Sequence, residues 1–211
     1  MTATATRFVF VLAILQWLAG ATPAQYHAAS RPQAGQTWAV VVGVSKYSRL
    51  PGGQQLQFAD RDAAEFSDAL KSSGVKGENI RTLIGAEATA STLKAAIGNW
   101  LAKSTSESDT VILFFSGHGV FEREFQESYV FCYDSDPKDP YTTALSVSEL
   151  AQALKTRVRA RRVLILLDAI RRDFFDPDAG GTADAATFTK AFNQLATSRS
   201  GASVIIASGP G

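Results

Sequence analysis

Two strongly apolar runs dominate the chain, and each is followed at once by a short polar segment. Residues 110–115 read Thr-Val-Ile-Leu-Phe-Phe and lead into Ser-Gly-His-Gly at 116–119. Residues 163–167 read Val-Leu-Ile-Leu-Leu and lead into Asp-Ala-Ile-Arg at 168–171. Such runs predict strands that are buried on both faces. We therefore expect the two polar segments to form turns at one edge of a parallel sheet, where the active sites of such sheets form.

The rest of the chain alternates strand-like with helix-like segments. Further strands are predicted over 38–44, 80–84 and 202–207, a short extended piece over 129–133, helices over 58–70, 89–101, 147–154 and 188–195, and a loop over 173–184. This alternation predicts an α/β fold in three layers, with a mainly parallel sheet and helices on both faces. With 211 residues and 45% apolar content, we expect one domain over residues 37–211.

The first 24 residues are typical of a signal peptide. Arg7 precedes an apolar stretch over 8–18, and the small residues Thr22 and Ala24 fit the cleavage rule. The stretch is too short to span a bilayer, which takes about 20 residues, although an uncleaved anchor remains an alternative. We expect the protein to be exported, to the periplasm or outside the cell, with residues 25–36 as a linker and no stable membrane span after cleavage.

Charge and cysteine content narrow the function further. Cleavage after residue 24 leaves 20 basic and 20 acidic residues, so no electrostatic feature of the whole chain favours a nucleic-acid partner. A basic cluster at Lys155, Arg157, Arg159, Arg161 and Arg162 is interpreted as a solvated approach to the next strand, with a polyanion site as the alternative. Cys132 is the only cysteine, which excludes an intramolecular disulfide.

Two further segments complete a recognisable pattern. Val-Val-Gly-Val-Ser-Lys-Tyr occupies 41–47 and Ala-Asp-Arg-Asp-Ala occupies 59–63. In this order, the four segments resemble caspase-type peptidase domains, above all the bacterial caspase-like proteins and metacaspases, over residues 38–211. In that family the last segment reads Asp-Ala-Cys, and the cysteine follows its histidine by about 50 residues. The resemblance implies a caspase-like fold whose carboxyl-terminal part, including a sixth strand, is expected to be truncated here.

The resemblance also implies roles for individual residues. His118 corresponds to the general base, and the Gly119 N–H, with that of residue 170, corresponds to the oxyanion hole. Asp62, Ser116 and Asp168 match the metacaspase residues that line a pocket for a basic side chain. Two converging carboxylates repel each other unless a cation lies between them, so an arginine or lysine is the natural guest.

Ile170 departs from the family pattern at the nucleophile position. Isoleucine has no lone pair and no ionisable proton, so it cannot form a covalent intermediate. The sequence therefore predicts an inactive pseudopeptidase that acts by binding or regulation on peptides or proteins with exposed Arg or Lys. The alternative is an active cysteine endopeptidase that cleaves after Arg or Lys, with Ile170 a sequence error or compensated elsewhere. Compensation by Cys132 or Ser116 is disfavoured, because buried cysteine usually only packs and serine needs a base aimed at it.

The remaining alternatives concern ligands. A flavodoxin-like nucleotide domain is disfavoured, because no Gly-rich phosphate loop follows the first strand. Asp134, Asp136 and Asp139 suggest calcium, but their spacing does not fit an EF-hand loop, and a polar turn is the preferred interpretation. We expect no metal and no other cofactor, and the sequence leaves the oligomeric state open.

Overall fold

The computed structural model of the chain describes residues 35–171, 182–198 and 200–207. The predicted signal peptide, nearly all of the predicted linker and most of the predicted loop over 173–184 lie outside the described residues. Within the described ranges, no helix combines the length and the apolar character that a membrane span requires.

The described residues form strands and helices that alternate along the chain. The strands are β1 (Thr37–Gly43), β2 (Ile80–Ile84), β3 (Thr110–Glu122), β4 (Glu127–Val130), β5 (Leu145–Ser146), β6 (Arg162–Arg171) and β7 (Ala202–Ala207). The helices are α1 (Ala59–Ser72), α2 (Ala90–Ala95, continued by a π-helical turn Ala96–Leu101 and by Ala102–Ser104), α3 (Pro140–Thr143), α4 (Val147–Thr156) and α5 (Thr182–Ser198).

One sheet joins these strands. Its parallel part runs in the order β2-β1-β3-β6-β7, and every neighbouring pair in that series is parallel. The carboxyl-terminal part of β3 turns back as an antiparallel hairpin with β4, and β5 pairs with β4. The mainly parallel sheet predicted from the sequence is confirmed.

Helices cover both faces of the sheet. On one face α1 packs against Ala39 and Val41 of β1, and its Phe66 ring stacks on Phe114 of β3 with 4.4 Å between ring centroids. The opposite face packs against α2, α4 and α5, through buried side chains that include Leu93, Leu101, Leu150, Leu154, Phe192 and Leu195. Three layers result, as the apolar alternation predicts.

Glycine permits the close contact between α1 and β1. A Cβ atom on Gly43 would lie 2.3 Å from the Ala59 carbonyl oxygen and 2.6 Å from the Ala63 Cβ. Both distances are far inside van der Waals contact, so any larger residue at 43 would push the helix off the sheet. The start of α1, which carries Asp62, is thereby held against the carboxyl end of β1.

The structure corrects the predicted ends of the two apolar strands. Residues 116–119 and 168–171 do not form turns, because β3 extends to Glu122 and β6 extends to Arg171. The two strands pair in parallel from Thr110 with Arg162 to Gly119 with Arg171. Backbone pairing with a neighbouring strand therefore continues the ladder through both polar segments. The helix predicted over 188–195 is also longer and spans Thr182–Ser198.

Candidate active site

The parallel pairing of β3 with β6 brings together the two positions on which the predicted chemistry depends. His118 and Ile170 are Cα partners across this ladder, and Ser116 and Asp168 are partners two residues earlier. The two apolar runs have similar lengths and pair in register, so the residues that follow them meet at the same level. The expected adjacency of His118 and position 170 is confirmed.

The His118 imidazole is completely buried, and its orientation is defined by hydrogen bonds. Its Nε2 atom lies 2.7 Å from the carbonyl oxygen of Gln54. A carbonyl oxygen only accepts, so Nε2 carries the proton and donates it, and Nδ1 is the basic nitrogen of this tautomer. The backbone of His118 is held as well, because its N–H donates to the Tyr47 hydroxyl oxygen at 2.8 Å and its carbonyl accepts from the Phe131 N–H at 2.9 Å.

Tyr47 forms one wall around the histidine. Its ring centroid lies 5.0 Å from that of His118, and burial raises the pKa of the Tyr47 hydroxyl. A Cβ atom at Gly117 would lie 2.8 Å from the Tyr47 hydroxyl oxygen and 3.0 Å from the Phe115 ring. Glycine at 117 therefore allows the tyrosine to reach the backbone of His118.

The two carboxylates of the predicted pocket lie close enough to influence each other. Asp62 stands in the first turn of α1, and Asp168 lies near the end of β6. The Asp168 side chain is exposed, but partial desolvation, and then the negative charge of Asp62, raise its pKa. Ser116 is buried and is the register partner of Asp168. Since side chains two residues apart share a sheet face, Ser116 lies on the face of Phe114, which is the face that α1 covers.

Gly119 lies between two neighbouring strands, β4 and β6. It is the Cα partner of Val130 on one side and of Arg171 on the other. The carbonyl of His118 accepts from Phe131, just beyond β4, and backbone groups of successive strand residues point to opposite sides. The N–H of Gly119 therefore faces β6. Its role in an oxyanion hole stays a prediction.

Cys132 lies in the core, where its thiol has a raised pKa. It is fully buried, and burial together with the negative charge of Asp134 raises the pKa of its thiol to about 12. The thiolate, which is the reactive form, is thus scarce near neutral pH.

The three aspartates that suggested calcium each have a local structural role. Asp134 accepts from the Ala90 N–H, Asp136 pairs with Arg49 at 2.9 Å, and Asp139 caps α3. Across the described part of the chain, no group of three or more His, Cys, Asp or Glu side chains is placed to hold a metal ion.

The sequence missed the residues that orient His118. Tyr47 stood inside a recognised segment without an assigned role, and Gln54 acts through its backbone carbonyl. A carbonyl oxygen belongs to every residue, so no side-chain signal could have identified Gln54. The glycines on both sides of His118 were the only hint that another group approaches its backbone closely.

Comparison with known proteins assigns the family. The family model described as the caspase domain matches residues 36–209, which is most of the chain. The chain belongs to the caspase domain family. The caspase-like α/β fold is thereby confirmed, and with it a relationship to peptidases.

A solved structure supports the fold independently. The protein GSU0716 from Geobacter sulfurreducens is similar with a TM-score of 0.55 and 17% sequence identity, over 81% of this chain and 71% of that chain. At this level of identity, the similarity shows a shared fold alone. No curated protein matches the chain.

Proposed function

We propose that this caspase-domain protein is a pseudopeptidase, which binds segments with exposed Arg or Lys and does not cleave them. The observation that carries the proposal is the pairing of Ile170 with His118 in adjacent parallel strands. A thiol at position 170 would stand beside a histidine base, whereas isoleucine offers no proton to remove and no atom to attack a carbonyl.

The surroundings of His118 support its proposed role as the base of a catalytic dyad. With its Nε2–H bonded to Gln54, the His118 ring has Nδ1 as its basic nitrogen. A base oriented by a third group is the arrangement that activates a nucleophile in cysteine and serine enzymes. The proposal therefore attributes the loss of activity to position 170, and the single substitution Ile170→Cys tests it.

Neither candidate replacement suits the role of nucleophile. Cys132 is fully buried, with a thiol pKa raised to about 12. Ser116 is buried within the β3 ladder and pairs with Gly43 on one side and Asp168 on the other. The burial of both residues therefore supports the proposal of a domain that does not cleave its ligand.

The proposed ligand is a basic side chain held by Asp62 and Asp168. The negative charge of Asp62 contributes to raising the pKa of Asp168, so a cation bound between the two carboxyls would relieve their repulsion. A guanidinium offers a planar array of donors that two carboxylates can share. We also place this binding outside the cytoplasm, because of the signal peptide predicted over residues 1–24.

The decisive experiment restores the nucleophile. The natural chain and Ile170→Cys are assayed on blocked arginyl and lysyl peptides, with and without an alkylating agent. Losing a nucleophile costs about 10⁶ in turnover in a well-studied serine protease, so we expect no thiol-dependent cleavage by the natural chain and a weak, alkylation-sensitive activity in Ile170→Cys. The controls are Ile170→Ser alone and His118→Ala combined with Ile170→Cys. Alkylation-sensitive cleavage by the natural chain would show an active peptidase and overturn the proposal.

Binding is tested separately by calorimetry on the natural chain. A blocked arginyl peptide is compared with its neutral citrulline counterpart, which keeps the shape and lacks the charge. Asp62→Asn and Asp168→Asn are each expected to weaken arginyl binding about tenfold to a hundredfold, in line with a charge-assisted hydrogen bond. The matched control is Asp68→Asn, because Asp68 lies exposed on the same helix and pairs with Lys71. Equal affinity for the two peptides would remove the basis for a basic-residue pocket.

A further inference from the structure

Residues 45–56 follow β1 and bring the Gln54 carbonyl to His118. The side-chain amide of Gln55 joins two parts of this loop. Its Oε1 accepts from the Tyr47 N–H at 2.6 Å. Its Nε2 donates to the Tyr47 carbonyl at 3.0 Å and to the Leu50 carbonyl at 2.7 Å. One side chain thus satisfies three backbone groups of the loop, as a short piece of neighbouring strand would.

The turn that presents the Gln54 carbonyl has little packing of its own. Gly52 and Gly53 lie in a 3₁₀ turn, and a Cβ added at either would meet nothing within 4 Å. The ends of the segment are fixed elsewhere, because the Leu56 N–H donates to the Ser45 carbonyl at 2.8 Å. Between these ends, the three hydrogen bonds of Gln55 stand directly beside the residue whose carbonyl contacts the histidine.

The contact with the Gln54 carbonyl bears on which nitrogen of His118 carries the proton. In a neutral imidazole, the hydrogen bond made by one nitrogen determines which nitrogen carries the proton. A displacement of about 1 Å at such a contact is enough to change reactivity about 10²-fold. The position of the Gln54 carbonyl therefore affects the reactivity of His118.

We propose that Gln55 is a positioning residue, which holds the Gln54 carbonyl on His118 Nε2 and so keeps Nδ1 as the basic nitrogen. The part that concerns catalysis rests on the proposed role of His118 as a base. The part that concerns the tautomer rests on the hydrogen bonds alone. The two parts can be tested apart.

The tautomer is tested by nuclear magnetic resonance on the chain that keeps Ile170. The full-length protein carries His27→Gln, which leaves His118 as its one histidine, because the chain has two. Spectra at about pH 8, above the ordinary titration range of histidine, report the imidazole ¹⁵N shifts and the solvent exchange of the Nε2 proton. Gln55→Met keeps the length of the side chain and loses all three bonds, while Gln55→Glu keeps the acceptor for Tyr47 and loses both donors. Gln57→Met, at an exposed glutamine two residues away, is the matched control.

We expect the reference chain and Gln57→Met to show one Nε2–H tautomer with a slowly exchanging proton. In Gln55→Met the proton should exchange at least about tenfold faster, with Gln55→Glu intermediate. Near-ultraviolet circular dichroism verifies that each variant is folded. Unchanged exchange in a folded Gln55→Met would overturn the proposal, and if that variant does not fold, unchanged exchange in Gln55→Glu would overturn it.

The catalytic part is tested in the Ile170→Cys background. There Gln55→Met should lower kcat for an arginyl peptide and leave KM nearly unchanged, because the pocket carboxylates are not touched. An equal fall in kcat for Gln57→Met would contradict a specific role for Gln55. If Ile170→Cys itself is inactive, the proposed function fails at its nucleophile step, and the exchange measurement still decides the role of Gln55.

Discussion

Tyr47 and Gly117 meet at the backbone of His118, and we expect substitutions at these two positions to be coupled. The Tyr47 hydroxyl accepts the His118 N–H at 2.8 Å. A Cβ added at position 117 would lie 2.8 Å from the same hydroxyl oxygen, and 3.0 Å from the Phe115 ring. Gly117→Ala adds a methyl group that is crowded by both the hydroxyl and the ring. Tyr47→Phe removes the hydroxyl and so relieves part of this crowding.

The size of each effect follows from these contacts. Tyr47→Phe leaves a buried N–H without its acceptor, which costs about 1–3 kcal/mol of unfolding free energy. Gly117→Ala inserts a methyl group into a closely packed site, which costs about 1–3 kcal/mol. In the double variant the hydroxyl is absent and only the Phe115 ring still crowds the new methyl group. The double variant should therefore be less destabilised than the sum of the single variants, by about 1 kcal/mol.

Urea unfolding of the four chains at one pH measures this coupling. Tyr141→Phe is the control for losing a tyrosine hydroxyl, because Tyr141 is 81% exposed, and its effect should stay within about 0.5 kcal/mol. Additivity of Tyr47→Phe and Gly117→Ala within about 0.3–0.5 kcal/mol would refute the close approach of the Tyr47 hydroxyl to a side chain at position 117.

Three further predictions follow from other parts of the chain. Asp168→Asn should raise Tm at neutral pH and not at about pH 3. Partial desolvation and the negative charge of Asp62 raise the pKa of Asp168 in the folded state. As the pH is raised, this carboxyl therefore ionises first in the unfolded state, and the folded state loses stability. Equal Tm gains at both pH values would contradict this. Cys132 should resist iodoacetamide in the native protein and react after denaturation, as read by mass spectrometry; native labelling would contradict its burial. Ser146→Ala should cost about 1 kcal/mol in urea unfolding, because Ser146 and Glu149 form a capping box, and an unchanged midpoint would count against that cap.

Several elements could be predicted with their bounds. The strands predicted over 80–84 and 202–207 coincide with β2 and β7, because each is a short apolar run between turn-forming residues. The ends of β3 and β6 could not be predicted, since the polar residues there are held in extended form by pairing with each other. Pairing partners more than 50 residues apart leave no local pattern in either segment.

The residues of the candidate site also divide into those that the sequence could identify and those that it could not. His118 and Ile170 could be singled out because their positions follow two recognisable apolar runs, and the structure makes them neighbours. Tyr47, Gln54 and Gln55 could not, because they act through a hydroxyl, a carbonyl and an amide brought over the histidine by a folded loop. Residues of these types occur throughout any chain without such a role.

The sequence by itself determines which functional groups exist, and position 170, the register partner of His118, carries an isoleucine and no thiol. The identity of a side chain is fixed by covalent bonds, so folding cannot change it. The tertiary structure alone decides how the existing groups behave: which nitrogen of His118 carries the proton, and why the pKa values of the Cys132 thiol and of the Asp168 carboxyl are raised. Proton affinity depends on burial and on charges and donors a few ångströms away, and these neighbours come from distant parts of the chain.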